Sequence, residues 1–307
     1  MPSAIGVRFY KLIIKERGTN NVIDTNSDAL KLGMQEFVKK FIEDHTATIQ
    51  DESLERSWYF ESKESKQKGV FRGYIRYGTY GFESNFVDPK TKNNKYHRQT
   101  SDVEVIPLYY EYWIPNGKNL AIVALQSFQG RSCINLMMTQ MKKKFDEQNK
   151  KYILLFYKIL PNDVKGSAYL SSPVKKLRLI RKNTSADIAD QYFDNPNPDD
   201  IDFEVIMSAK RRKSLGTLGG LLSTVKSNKE NAIVHEGLHF AEAVAQIKVG
   251  GRTRQVGVLG GNRDAGVIDL TDAIIRGKDG HPTFQSLTKE IGSLMTDFID
   301  TLDGNQS

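Results

Sequence analysis

The sequence predicts an α+β protein of two domains, each a largely antiparallel sheet closed by an amphipathic helix. Three observations carry that expectation. Short runs of alternating apolar and polar residues follow one another directly, without the strand–helix–strand rhythm of a parallel sheet. Two stretches of helical spacing, Arg131–Phe145 and Thr283–Leu302, each close a group of such runs. A chain of 307 residues exceeds what one small core usually serves, and a new apolar run begins soon after the first of those helices. The expected domains are residues 1–147 and 148–307.

In chain order, Ile5–Lys15 mixes apolar, aromatic and basic residues as a strand does. Asp28–His45 is expected to be a helix. Leu30, Met34, Phe37, Val38 and Phe41 recur at its period, and Asn26, Ser27 and Asp28 offer N-cap oxygens. Ser57–Glu61 and Val70–Tyr77 are short aromatic strands, and Asp88–Ser101 reads as a polar loop. Val103–Ile114 and Leu120–Phe128 form a hairpin across Pro115-Asn116-Gly117-Lys118-Asn119, where Pro fixes φ and Asn-Gly tolerates positive φ. The helix after it aligns Ile134, Met137, Met138, Met141 and Phe145.

The second half opens with the apolar strand Tyr152–Leu160 and continues with Val174–Arg181, where Leu177 and Leu179 alternate with Arg178. An acidic, Asn/Pro-rich segment, Asp187–Asp200, then precedes the strand Phe203–Met207. Four consecutive cations, Lys210 to Lys213, follow, and then a Gly/Leu segment with helical character. Val244–Val249 and Arg254–Leu259 pair across Gly250-Gly251, and Val267–Leu270 is a short strand. The closing helix sets Phe284, Leu287, Ile291, Leu294, Met295 and Phe298 on one face.

Composition narrows the function classes. The 44 Lys and Arg outnumber 37 Asp and Glu, a net charge of +7 that favours polyanionic partners. The single cysteine, Cys133, rules out an intramolecular disulfide framework and a Cys-rich zinc site, and its apolar neighbours mark it as a buried hydrophobe. No run reaches the ~20 apolar residues that span a bilayer, and the N-terminus lacks a long apolar signal core. A cytoplasmic protein is expected.

Two catalytic patterns need weighing. His235-Glu236-Gly237-Leu238-His239 matches HExxH, in which two His one helical turn apart ligate zinc beside a Glu base. Gly237 inside the required helix, the hairpin that follows and the lack of a spaced third ligand argue for a chance match. Asp199, Asp200, Asp202 and Glu204 offer carboxylates for a Mg²⁺ nuclease, but Glu204 is followed by Val205-Ile206, so the lysine of an acid…Glu-x-Lys site is missing. A metal-dependent nuclease of a defence system is the alternative reading. No phosphate-binding Gly-x-x-x-x-Gly-Lys-Ser/Thr loop is present. No catalytic residue, metal ligand or cofactor is assigned.

The basic clusters carry more. Between Lys142 and Lys182 twelve cations, Lys175 and Lys176 among them, face three acids, and Lys248–Arg263 holds four cations and no acid. Together with Lys210, Arg211, Arg212 and Lys213, these cations mark Arg178, Arg181, Lys182, Arg252 and Arg254 as candidate phosphate contacts on neighbouring strands. No base-reading motif accompanies them, so the expected mode is sequence-nonspecific contact with a nucleic-acid backbone.

The order DIDFEVIMSAKRRKSLGTLGGLL, AVAQIKVGGRTRQVGVLGGNRDAGVIDL, GKDGHPTF and SLTKEIGSLMTDFID, together with NLAIVALQSFQGRSCINLMMTQMKKKF earlier, resembles the RexA family of phage-exclusion proteins of lambdoid prophages. The resemblance is one of pattern and order over most of the chain, with a longer loop at Asp88–Ser101. It implies a non-enzymatic, homodimeric protein of antiviral defence that binds double-stranded DNA without sequence preference and acts with a small membrane effector. The DNA-contact role carries over onto Lys210, Arg211, Arg212 and Lys213.

Overall fold

The structure is a computed structural model that describes residues 5–159, 170–181, 203–227, 232–249, 252–259 and 267–304. The chain divides into two compact units. One comprises Tyr10–Tyr157 with Gly277–Phe284, and the other Met1–Phe9, Lys158–Arg276 and Gln285–Ser307. They are called the aromatic and the basic unit after their contents. The division passes through the first strand and falls near residue 157. The reason lies in the strand after the second helix. Its Lys151 carbonyl accepts from the Arg17 N–H at 2.9 Å, which ties it to the first strand and not to a new sheet.

The chain begins with β1 (Ile5–Glu16), whose residues from Tyr10 onward lie in the aromatic unit. There follow β2 (Val22–Ile23), α1 (Met34–Asp44), β3 (Ile49–Asp51), β4 (Arg56–Lys63), β5 (Val70–Thr79), β6 (Ser84–Val87) and β7 (Asn94–Arg98). Then come β8 (Glu104–Trp113), β9 (Ala121–Phe128), α2 (Ile134–Gln148) and β10 (Tyr152–Lys158). β3, β4, β5, β8 and β9 pair in that order, each pair antiparallel. Strand alternation sends Trp58, Phe60, Ile75, Leu108, Tyr110 and Tyr112 to one face, where all are buried. The helices cover that face. Phe41 meets Phe60 with ring centroids 5.9 Å apart, and the Tyr112 hydroxyl donates to the Met137 sulfur at 3.1 Å. Phe37 and Phe145 join the two helices edge to face at 5.4 Å. Full burial of each such side chain contributes about 1.5–3 kcal/mol, so this cluster is the unit's main source of stability.

Two local expectations are corrected here. α1 starts at Met34, not at Asp28. Asn26 bends the entering chain instead, its Oδ1 accepting from the Gln35 N–H at 3.0 Å, so a side chain well before the helix satisfies an orphan donor of its first turn. The stretch expected as a polar loop contains β7, which pairs with β6 as a separate two-stranded ribbon. Cys133 is buried, and burial pushes its thiol far above the ordinary range.

The basic unit holds the start of β1, then β11 (Val174–Arg181), β12 (Phe203–Ser208), α3 (Leu218–Ser227), β13 (Ile233–His235), β14 (Leu238–Phe240), β15 (Glu242–Val249), β16 (Arg252–Leu259), β17 (Ile268–Asp269) and all but the first residue of α4 (Phe284–Gly304). Its sheet runs β12–β11–β15–β16–β17, and Gly6 and Val7 of β1 pair with β17. Every pair is antiparallel. Leu177, Leu179, Ala243, Ala245, Ile247 and Val256 are buried, and Leu287, Ile291, Leu294, Met295 and Phe298 of α4 are the buried helical stripe that the sequence period predicts. Phe298 packs edge-on to Phe9 of β1 at 4.8 Å. The mixed α/β class with a large antiparallel sheet is therefore as expected, and among the described residues no helix is long and apolar enough to cross a membrane.

Candidate nucleic-acid interface

Antiparallel pairing decides which ends of strands meet. β11 starts where β12 and β15 finish, and β16 starts beside the end of β15. Lys176 pairs with Ser208 on one side and Gln246 on the other. Lys248 pairs with Thr253, Val249 with Arg252, and Ile247 with Arg254. The Lys210–Lys213 segment follows directly from β12. One end of four adjacent strands therefore collects Lys175, Lys176, Lys210–Lys213, Lys248 and the backbone of Arg252 and Arg254.

Lys210–Lys213 is a turn; α3 begins five residues later, at Leu218. The Lys213 N–H donates to the Lys210 carbonyl at 2.9 Å, and Arg212 takes the left-handed conformation with φ 62°. The turn is fastened to β11 on both sides. Before it, the Ala209 N–H donates to the Lys175 carbonyl at 2.8 Å. After it, the Leu215 N–H donates to the Val174 carbonyl at 2.8 Å, and the Val174 N–H to Gly216 at 2.9 Å. A register shift between Val174 and Lys176 marks a bulge at Lys175, whose ammonium donates to the Lys213 carbonyl at 2.6 Å. The turn backbone is held in place while all four cationic side chains stay exposed. A chain that must hold like charges side by side needs such anchoring, because their mutual repulsion would otherwise open the turn.

Arg178 lies two residues beyond Lys176 on β11, on the same face. With Ile206, Val244, Gln246 and Gln255 these two line a shallow depression of 160 Å³. Glu204 approaches the Arg178 guanidinium at 4.0 Å, and both side chains are about two-fifths exposed, so the pair is a weak restraint. Arg181 does not join this end. It pairs with Phe203 at the opposite end of the strands, five residues or about 17 Å from Lys176. The neighbours there are acidic, since Ile180 pairs with both Glu204 and Glu242. Lys182 lies outside the described residues, as do Asp199, Asp200 and Asp202.

Lys175, Lys176 and Lys248 stand at the basic end beside the candidate contacts, although charge alone offers no reason to rank them with the arginines. The available signal was position, since each stands at a strand end next to a turn or bulge.

The HExxH segment is not a helix. Ile233–His235 and Leu238–Phe240 form a hairpin whose two turn residues, Glu236 and Gly237, have φ 50° and 78°, the primed-turn geometry that matches strand twist. His235 pairs with Leu238 and Val234 with His239, so the two imidazoles leave opposite faces of the ribbon and do not converge on one ion. Among the described residues no three His, Cys, Asp or Glu side chains gather as a metal site.

No protein-family model and no curated protein matches the chain.

Proposed function

We propose that the protein is a non-enzymatic, sequence-nonspecific binder of double-stranded DNA, and that the basic sheet end is its contact surface. The observation that carries this reading is the gathering of Lys175, Lys176, Lys210–Lys213 and Lys248 at one end of adjacent antiparallel strands, with acids at the other. Three strand intervals, from β12 to β16, measure about 14 Å. That is the axial length of roughly four phosphates along one DNA strand. Cations held on a sheet end by backbone hydrogen bonds neutralise phosphates without reading bases, so affinity comes from counterion release and carries no sequence preference.

The resemblance to the phage-exclusion family supports a role in antiphage defence, as a cytoplasmic homodimer that senses phage DNA and signals to a small membrane protein. The basic end supplies the sensing step in that scheme.

Electrophoretic mobility shift with unrelated duplexes at two salt concentrations tests the reading. Comparable binding to all duplexes, weakening steeply with salt, is expected. Absence of binding at low salt, or plasmid cleavage on adding Mg²⁺, overturns it.

A further inference from the structure

The β6–β7 ribbon of the aromatic unit carries a second surface of different chemistry. Of the four aromatic rings standing exposed among the described residues, three are here: Phe82 at 50%, Phe86 at 49% and Tyr96 at 52%. Val87, 51% exposed, adds to them. Phe86 pairs across the ribbon with Tyr96, ring centroids 6.1 Å apart. Ser84 pairs with Arg98, whose guanidinium lies 4.1 Å over the Phe82 ring. By strand alternation Phe86, Tyr96 and Arg98 share one face, and Arg98 carries Phe82 onto it.

The ribbon is anchored by hydrogen bonds at both ends. At its root Arg98 is buried, donates to the carbonyls of Thr79 and Asp102, and lies 3.6 Å from the Glu104 carboxylate. At its tip the Asp88 carboxylate accepts from the N–H groups of Lys90 at 2.9 Å and Thr91 at 3.1 Å, and from the Lys95 ammonium at 2.8 Å. These donors hold the Asp88 carboxyl down at about 2, the Lys95 ammonium having the largest effect. Lys90 and Lys92 remain at the tip without an ion pair among the described residues. Exposed rings held in fixed positions lose little conformational entropy on binding, which is the property of a recognition surface.

We propose that this ribbon binds single-stranded nucleic acid, with bases stacked on Phe86, Tyr96 and Phe82 and phosphates at Lys90 and Lys92. Exposed rings beside unpaired lysines suit a ligand with both flat apolar faces and negative charge. In a duplex the base faces are already stacked on one another, and only an unpaired strand offers them to a side chain. The assignment stands on residues separate from the basic sheet end.

The test is fluorescence anisotropy on the full chain with three labelled probes: an oligothymidylate, an abasic oligonucleotide of equal length, and an unrelated duplex. The wild-type chain is expected to prefer the oligothymidylate over the abasic strand. Replacing Phe86→Ala and Tyr96→Ala together should weaken oligothymidylate binding on the order of tenfold or more and leave the abasic strand and the duplex unchanged. Tyr96→Phe, which keeps the ring, should bind as wild type. Lys90→Ala with Lys92→Ala should flatten the salt dependence on the oligothymidylate by about 1.4 in log–log slope. Equal wild-type affinity for the abasic strand and the oligothymidylate overturns the proposal, as does an unchanged affinity in the double aromatic variant with unaltered circular dichroism. Loss of duplex binding in the double aromatic variant also overturns it, whereas a wild-type chain that prefers the oligothymidylate but does not bind the duplex supports the ribbon and counts only against the basic sheet end.

Discussion

The basic sheet end and the β6–β7 ribbon are both positively charged, yet they are built on opposite plans. The sheet end packs cations onto the termini of β11, β12, β15 and β16, with no exposed aromatic ring in the described part of 203–217. The ribbon has fewer available cations and puts its aromatic side chains in solvent. Charge alone serves a ligand whose outer surface is phosphate, and rings with charge serve one whose bases are open. Charge density by itself therefore does not say what a surface binds; the apolar groups placed between the charges decide it.

The largest expected effect would break the comparison on the sheet side. Replacing Lys210, Arg211, Arg212 and Lys213 together by Ala should make the log–log salt dependence of duplex binding shallower by about 3.6, since each neutralised phosphate contributes roughly 0.9. Filter binding across a salt series measures it. An unaltered slope would remove the turn from the interface.

Next in size is a stability effect at the ribbon root. Arg98→Ala removes a buried cation that bonds two carbonyls, and hydrogen bonds to charged groups are worth about 1.5–3 kcal/mol each. Urea unfolding should show a loss of that order, and limited proteolysis should cut between residues 82 and 98. A resistant ribbon would mean that the strand pairing holds without its anchor.

The tip offers a pH test. The Asp88 carboxyl is lowered in the fold, so its stabilisation is present above the ordinary carboxyl range, near 3.8, and is lost as pH falls through about 2. Amide exchange at Lys90 and Thr91 should stay protected at pH 4 and rise on approach to pH 2, while amides of β5 stay protected. Protection at these two sites that ignores pH would show that the turn does not depend on the carboxylate.

Single substitutions on β11 sharpen the comparison most finely. Lys176→Ala should reduce the duplex salt slope by about 0.9, and Arg181→Ala, at the acidic end of the same strand, should leave it unchanged. Equal effects from the two would mean that the whole strand, and not its end, meets the ligand.

β11 shows how far local pattern reaches. Its limits, Val174–Arg181, are those that Leu177 and Leu179 alternating with Arg178 predict, because a half-buried strand must write its two faces into every second residue. The helical stripe of α4 was legible for the same reason. The ribbon was not. In Asn94–Arg98 polar and charged residues stand on both faces, and a two-stranded ribbon away from the core has no buried face to impose alternation. The HExxH pattern is a chance match for a physical reason: its spacing is meaningful only on a helix, and the Glu236–Gly237 turn makes a hairpin instead.

By itself the sequence determined the mixed α/β class, the buried stripe of α4, the alternation of β11 and the fact that cations cluster, because burial, period and charge are properties of neighbouring residues. Tertiary structure decided which cations meet. Arg178 and Arg181 are three residues apart, yet strand alternation puts them on opposite faces and the register puts Arg181 beside Phe203 and the acidic end. Lys175 and Lys213 are 38 residues apart and share a hydrogen bond. Only antiparallel pairing, which joins the start of one strand to the end of the next, turns scattered lysines into one surface.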